Sequence, residues 1–390
     1  MNRSVSIVGL LWLGAAWSAA AGQETRESPR PVRTVPLAER LGSAHVAGKY
    51  SFGKGDFLNE GADAILKTGM RVIKTYLYEP ASNYPFHSEW PANLREPVAI
   101  ARHPYYRELF RKPFKTFLLT TYSTVHKNAT YWRSGMSDTD AAREEEAFHA
   151  LAIFLMQTYR GTGKTFVLQH WEGDWHLRGT TRMDVEHDAS AEAAEGMARW
   201  LNARQDGVSR ARREMPRSDV KVYHACELNL VVLGMKGRPV MVNTVVPKTR
   251  CDLYSYSAYD SIGVAAAGGV EQGRQSLRDA LDYIAAKAPD SAAFGSRNVY
   301  VGEFGWPEVP SKQDPDASTE KSLRVLRATV EEAVSWGCPY IVYWQVYDNE
   351  SRVGRDRPGN GDVRGFYLIR PDGTRAAAWD YFASLLKTRR

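Results

Sequence analysis

The sequence has little of what marks several large classes of protein. It contains only 3 cysteines, Cys226, Cys251 and Cys338, in 390 residues, which is too few for a disulfide-stabilised scaffold. We expect buried free thiols, although one disulfide is compatible with an oxidising compartment. After residue 22 no apolar run approaches the roughly 20 residues that a membrane-spanning helix needs. These shortages exclude a disulfide framework and predict a soluble chain without a membrane partner.

The charged residues form no concentrated basic surface in the sequence. Lys and Arg number 51 and Asp and Glu number 45, and the excess is spread along the chain. Nucleic-acid binding needs a clustered basic face, so no nucleic-acid partner is expected. The composition, 43% hydrophobic and 25% charged, is that of a globular protein and excludes a disordered, collagen-like or coiled-coil chain. We expect a monomer with a large single core.

The N-terminal segment has the pattern of a secretory signal. Residues 1–22 combine a basic start, an apolar run and small residues at the end, which predicts a signal peptide. We expect cleavage near Ala21 or Gly22 and a secreted or periplasmic mature protein. Residues 23–40 contain three prolines and no periodic apolar pattern, which predicts a linker or an N-terminal arm. The remaining chain, 41–390, is predicted to be one catalytic domain.

Short apolar runs alternate with helical patterns through the rest of the chain. One helical pattern lies between Ser318 and Gly337, which are the expected cap residues. Eight such parallel βα units predict an α/β protein with a (β/α)8 TIM barrel. The predicted strands are 44–52, 71–78, 114–122, 164–171, 220–227, 251–257, 298–304 and 340–347. Segments 79–113 and 172–189 are predicted to form long loops above the C-terminal rim, and 229–250 resembles a Val-rich loop more than a helix.

Glutamates and aromatic residues follow two strands that should lie across the barrel from each other. In such a barrel the carboxyl ends of the strands form the active site. The fourth apolar run leads to Glu172 and the seventh to Glu303. Two facing carboxyl groups are what hydrolysis of a glycosidic bond needs, and aromatic rings are surfaces on which a sugar stacks. The candidate substrate-binding residues are His170, Trp171, Asp174, Trp175, Tyr256, Tyr259, Trp306 and Trp344.

These residues resemble those of the clan A retaining glycoside hydrolases, which include β-mannanases, cellulases and β-xylosidases. The sequence from Val301 to Trp306, which contains Glu303 and Phe304-Gly305, is similar to the clan's nucleophile strand, and Trp344 is similar to its sugar-binding Trp on strand eight. The resemblance covers roughly 44–385 and implies that Glu303 is the nucleophile and Glu172 the acid/base. It implies a poly- or oligosaccharide substrate, for which the positive net charge could favour an anionic glycan, and no cofactor.

The chain departs from the clan pattern at two positions. Ser257 replaces the usual His on strand six, and Trp171 replaces the Asn that normally precedes the acid/base and contacts the sugar 2-hydroxyl. Tyr259 keeps the clan's Tyr, which implies a hydrogen bond to Glu303 that holds it ionised. His170 or Asp174 could substitute for the missing Asn.

Three alternatives stay open at this point. Glu227, at the end of the fifth strand, and Asp174 compete with Glu172 for the acid role, although a structural role suits Glu227 better. The alternation of His170, Glu172, Asp174 and His176 suggests a metal site. Their span of roughly 20 Å on one extended strand argues against a common ion, so no metal is predicted. A non-catalytic carbohydrate-binding barrel is the main rival to an enzyme, and a metal-dependent barrel hydrolase is the lesser one.

Overall fold

The structure is a computed structural model that describes residues 35–353 and 358–388. Its centre is a closed barrel of eight parallel strands in the order β1-β2-β3-β4-β5-β6-β7-β8. The strands are Leu41–His45 (β1), Val72–Leu77 (β2), Thr116–Thr121 (β3), Thr165–Gln169 (β4), Lys221–Leu228 (β5), Leu253–Ser257 (β6), Val299–Phe304 (β7) and Ile341–Tyr343 (β8). The prediction of a (β/α)8 barrel is confirmed.

Helices surround the barrel and fill its connections. In the described ranges the α-helices are Phe57–Lys67 (α1), Pro80–Asn83 (α2), Pro97–Arg102 (α3), Pro104–Arg111 (α4), Asp138–Thr158 (α5), Gly173–Arg178 (α6), Ala191–Glu214 (α7), Val231–Met235 (α8), Met241–Thr244 (α9), Tyr259–Ala266 (α10), Val270–Lys287 (α11), Thr319–Trp336 (α12) and Ala377–Thr388 (α13). Short 3-10 helices are Leu37–Glu39, Tyr131–Ser134, Val185–His187, Val246–Lys248 and Asn360–Asp362. No helix of the described residues is long and apolar enough to cross a membrane.

The predicted caps of α12 are present. The Ser318 side chain accepts a hydrogen bond from the backbone N–H of Lys321, and Gly337 follows the helix with a φ of 100°. A residue with a side chain rarely adopts such a positive φ, so glycine suits the end of this helix.

Several predicted boundaries need correction. The first strand is Leu41–His45 rather than 44–52, because Val46 and the residues after it already form the loop above the rim. The predicted linker ends earlier than expected, since Leu37–Glu39 forms a 3-10 turn that leads into β1. The predicted signal peptide, 1–22, and residues 23–34 of the predicted linker lie outside the described residues. The long segment after β2 contains α2, α3 and α4 rather than only loop.

The fifth unit is as irregular as its sequence indicates. Between β5 and β6 the chain forms only α8, α9 and one 3-10 turn instead of a long helix. Strand pairing is nevertheless continuous, with Ala225 opposite Leu253, so the Val-rich connection does not disturb the register of the barrel.

The core has two parts. Small and aromatic side chains on the inward faces of the strands fill the barrel, among them Leu118, Val167 and Tyr300. A larger cluster lies between the strands and the helices. The three cysteines are free and buried, as predicted. The barrel is thus a packed support whose upper end carries the polar side chains described next.

Candidate active site

Glu172 and Glu303 lie close together at the C-terminal end of the barrel. Glu303 is on β7, and Glu172 follows β4 directly before α6. Ser257, the last residue of β6, joins them: its Oγ is 2.5 Å from Glu172 Oε1 and 3.5 Å from Glu303 Oε2. One hydroxyl therefore bridges the two carboxyl groups that the sequence singles out.

A glycine allows this close approach. Against β7, strand β6 shifts register after Tyr256, so that Ser257 pairs with Glu303. A Cβ atom on Gly302 would lie 1.8 Å from Ser255 Oγ, a distance that no side chain can tolerate. The absence of a side chain at Gly302 lets β6 and β7 bring the serine and the glutamate together.

Lys74 is a functional candidate that the sequence analysis missed. It lies in the middle of β2, is fully buried, and places its Nζ 2.8 Å from Glu303 Oε1 and 2.7 Å from Glu227 Oε1. Burial lowers its pKa, but the two carboxylates outweigh burial and raise it above the ordinary value. Lys74 is therefore a permanent positive charge under the site. A lysine inside the apolar run from Val72 to Leu77 was the available signal, because an unpaired charge there would be very costly.

The Glu227 carboxylate connects several residues beneath the two glutamates by hydrogen bonds. Its Oε1 accepts hydrogen bonds from Lys74, from Gln169 Nε2 at 2.9 Å and from Ser255 Oγ at 2.8 Å. Its Oε2 accepts the backbone N–H of Glu172 at 3.0 Å. Both carboxylate oxygens are thus bound by protein groups, and Glu227 is fully buried. This arrangement supports the structural role over the acid role.

The backbone and side chain of Glu172 are both constrained. Its φ is 21°, a value that residues with side chains rarely adopt and that structures retain mainly at functional sites. Trp175 Nε1 donates a hydrogen bond of 2.7 Å to Oε2. Burial raises the pKa of Glu172 to about 7, while the hydrogen bonds from Ser257 and Trp175 oppose that rise. Near neutral pH this carboxyl group can therefore both hold and release a proton.

Glu303, unlike Glu172, is in direct contact with a cation. Burial raises the pKa of Glu303 above its ordinary value, the Lys74 ammonium acts in the opposite direction, and the carboxylates of Glu227 and Glu172 raise the pKa further. Glu172 receives hydrogen bonds from neutral groups, whereas Glu303 contacts a cation. Contact with the cation favours the negative charge on Glu303, whereas burial and the two neighbouring carboxylates raise its pKa to about 8, above the value of about 7 for Glu172.

A cavity of about 570 Å³ opens above the two glutamates. Four of the predicted substrate-binding residues line it: Trp171, Tyr259, Trp306 and Trp344. Trp306 is fixed by a hydrogen bond from its Nε1 to Asp314. The other lining residues, which follow β7 and β8 and were missed, are Pro307, Gln313, Asp314, Asn349, Glu350, Arg364 and Phe366. They lie in irregular loops, where periodicity gives no signal.

The remaining predicted substrate-binding residues do not line this cavity. Asp174 is buried because its carboxylate accepts the backbone N–H groups of Asn229, Leu230 and Met241. These hydrogen bonds fix the chain between β5 and β6. Asp174 therefore does not replace the missing Asn as a contact to the sugar. Trp175 contacts the Glu172 carboxylate directly, as described above.

His170 and Tyr256 are likewise used inside the protein. His170 is fully buried and accepts the backbone N–H of Glu227 on its Nε2. Tyr256 bonds the Asp260 carboxylate and points away from the barrel interior. Side chains alternate along a strand, so the inward positions of Ser255 and Ser257 force Tyr256 outward.

The hydrogen bonds of Glu303 correct one further expectation. Among the described residues the partners of the Glu303 carboxylate are Lys74 and Ser257, so Tyr259 lines the cavity without the expected bond to Glu303. The alternating residues after β4 diverge rather than converge, with His176 packed against Trp171. The described residues contain no group of three or more His, Cys, Asp or Glu that could hold a metal ion.

Comparisons with known proteins identify the fold and not the family. No family model and no curated protein sequence matches the chain. Solved structures do match. GH5_18 from Streptomyces cattleya, in complex with GlcNAc, has a TM-score of 0.56 at 14% identity, covering 90% of this chain and 80% of that one. An endo-laminarinase from Formosa has a TM-score of 0.50 at 10% identity, covering 90% and 88%.

A third match is a β-glucuronidase from Ruminococcus gnavus, with a TM-score of 0.51 at 12% identity, covering 89% of this chain and 50% of that one. The chain has the fold of these glycoside hydrolases. At such low identity the similarity is one of fold, and any activity must be argued from the site.

Proposed function

We propose that the protein is a glycoside hydrolase that cleaves a poly- or oligosaccharide by a retaining two-carboxylate mechanism. The observation that carries this proposal is the pair Glu172 and Glu303, bridged by Ser257 on the floor of a cavity lined by three tryptophans. Tryptophan faces bind sugar rings, and paired carboxyl groups supply the acid and the nucleophile. That the matched structures include sugar-bound glycoside hydrolases supports this choice.

The two glutamates receive different roles from their surroundings. Ionised Glu303, next to Lys74, attacks the anomeric carbon, while protonated Glu172 donates its proton to the departing glycosidic oxygen. In the second step Glu172 takes a proton from water, which attacks the glycosyl-enzyme ester and releases Glu303. The pKa of about 7 for Glu172 suits a group that must act as acid and then as base.

The separation of the carboxyl groups favours retention over inversion. Because Ser257 Oγ lies 2.5 Å from Glu172 Oε1 and 3.5 Å from Glu303 Oε2, these two oxygens are at most about 6 Å apart, which suits the roughly 5–5.5 Å between the carboxyl groups of retaining enzymes better than the roughly 6.5–9.5 Å of inverting ones. An exported enzyme, as the N-terminal pattern suggests, would meet such a glycan outside the cytoplasm.

The test is hydrolysis of a glycan panel by wild type, Glu172→Gln and Glu303→Gln. Glu89→Gln is the matched control, because Glu89 is exposed on a rim loop after β2. We expect both site variants to lose at least about 100-fold in rate and the control to retain it. NMR of the first product should show the anomeric configuration of the substrate. Binding without cleavage, unchanged in Glu303→Gln, would instead identify a carbohydrate-binding barrel.

A further inference from the structure

A second cavity, of about 400 Å³, continues from the first along the loops that follow β7 and β8. The two cavities share Gln313, Glu350 and Arg364. The second is also lined by Ser311, Lys312, Ser351 and Arg352. We call it the basic groove. A glycan that reaches the two glutamates through the first cavity would extend into this groove with its neighbouring sugar units.

The charges of the basic groove do not balance. Glu350 is already paired with Arg364 at 2.7 Å. Asp314, which lines the first cavity beside the groove, is paired with Lys321 at 2.6 Å. Lys312 and Arg352 have no carboxylate partner among the described residues, and both are exposed. Within the part of the chain that the structure describes, two cations of the groove are therefore left without a carboxylate.

Arg352 is held in place for such a contact. Its two terminal nitrogens donate to the carbonyl oxygens of Pro310 and Val309, at 2.5 and 2.9 Å. A guanidinium carries five N–H donors, so three stay available after these bonds. A fixed, charged group with unused donors can bind an oxyanion with little loss of conformational entropy.

Arg364 connects the groove to the first cavity. Its guanidinium lies 5.1 Å from the centre of the Phe366 ring, and Phe366 lines the cavity above the glutamates. Arg364 forms an ion pair with Glu350 in which each side chain is about two-fifths exposed. Such surface pairs contribute little stability. An anionic group on the substrate can therefore share Arg364 with Glu350 without breaking a strong interaction.

We infer that the substrate is an acidic glycan, in which a carboxylate or sulfate on a sugar next to the cleaved bond binds Lys312 and Arg352 in the basic groove. This inference rests on the proposed function. It names the chemical class of the substrate.

The first experiment separates the inference from the proposed function. Glu303→Gln is applied to an array of uronate-containing, sulfated and neutral oligosaccharides, and wild type is assayed for hydrolysis of the same glycans. Acidic glycans bound but not cleaved would support the groove and contradict the hydrolase. Neutral glycans cleaved in preference would support the hydrolase and overturn the groove. An array without acidic binding would also overturn it.

The second experiment tests the two cations on the acidic glycan that is cleaved. We expect Lys312→Gln with Arg352→Gln to raise KM about tenfold or more, the loss of one to two charge-assisted contacts, with kcat changed much less. Arg352→Lys keeps the charge and should recover part of the loss. Lys67→Gln with Arg160→Gln removes the same charge near the opposite end of the barrel and should leave KM unchanged.

The source of the anion is found by chemical treatment of the same glycan. If the group is a carboxylate, its reduction should make the KM of wild type equal to that of the double variant. If the group is a sulfate, desulfation should do so. An unchanged KM in the double variant, or an equal KM for the treated and untreated glycan, would refute the basic groove as a binding site.

Discussion

Replacing Glu172 with Gln should stop the proposed hydrolysis and at the same time make the protein more stable above pH 7. The free carboxyl group is buried, and its pKa in the folded protein is about 7, against about 4.3 in an unfolded chain. Between these values the folded state holds a proton that the unfolded state has lost. Wild type must therefore lose stability as the pH rises through this window. Gln carries no such proton.

The size of the effect follows from the shift. A rise of about 2.7 pKa units, from about 4.3 to about 7, corresponds to about 4 kcal/mol of unfolding free energy. The difference in unfolding free energy between the variant and wild type should be smallest at pH 4. It should grow in favour of the variant up to about pH 7 and then stay constant. Gln can still accept from Ser257 or Trp175 through its amide oxygen, so the packing around the residue is largely kept.

The measurement is urea-induced unfolding of wild type and variant at pH values from 4 to 9. Glu89→Gln serves as the control, since Glu89 is exposed and lies on a rim loop away from the cluster. A Glu172→Gln curve parallel to that of wild type at all pH values would refute the reasoning, because it would mean that Glu172 titrates normally in the folded protein.

Three further predictions concern the same cluster. Lys74→Met leaves Glu227 and Glu303 buried without their cation and should lower the unfolding free energy by about 3–5 kcal/mol near neutral pH, as measured by denaturant titration; an unchanged midpoint would contradict the charge assignment. Gly302→Ala should cost about 1–3 kcal/mol because of the clash with Ser255, whereas Gly361→Ala, with nothing near its Cβ, should cost far less. The rate of hydrolysis should fall above pH 7, where Glu172 loses its proton. At low pH the rate should fall as Glu303 gains a proton, at a pH above the ordinary pKa of a glutamate. A rate optimum below pH 5 would argue against both roles.

The barrel could be predicted from the sequence because its strands are buried on both faces. Such strands form short apolar runs, and the helices between them have a different period and clear caps, as at Ser318 and Gly337. Strand β1 was misplaced because the buried loop residues after His45 are as apolar as the strand itself.

The site could be predicted only in part. Position at a strand end located Glu172 and Glu303, but it did not determine which neighbours face the cavity. Three other residues, His170, Asp174 and Tyr256, are as close in sequence to the glutamates as the residues that line the cavity. The first two bind buried backbone N–H groups, and the alternation of side chains along β6 turns Tyr256 outward. Lys74 lies about a hundred residues before Glu172 in the chain and approaches Glu303 only through closure of the barrel.

The position of Glu227 affects how mutations in this protein should be interpreted. Its carboxylate contacts Lys74 and Ser255 and fixes the backbone N–H of Glu172, but it is fully buried and does not line the cavity. Substitution at Glu227 should therefore eliminate activity as completely as substitution at either proposed catalytic glutamate. A screen that scores only lost activity would count three essential carboxylates where the proposed chemistry uses two. Chemical rescue by a small external nucleophile such as azide can restore turnover at Glu172 or Glu303, but not at Glu227.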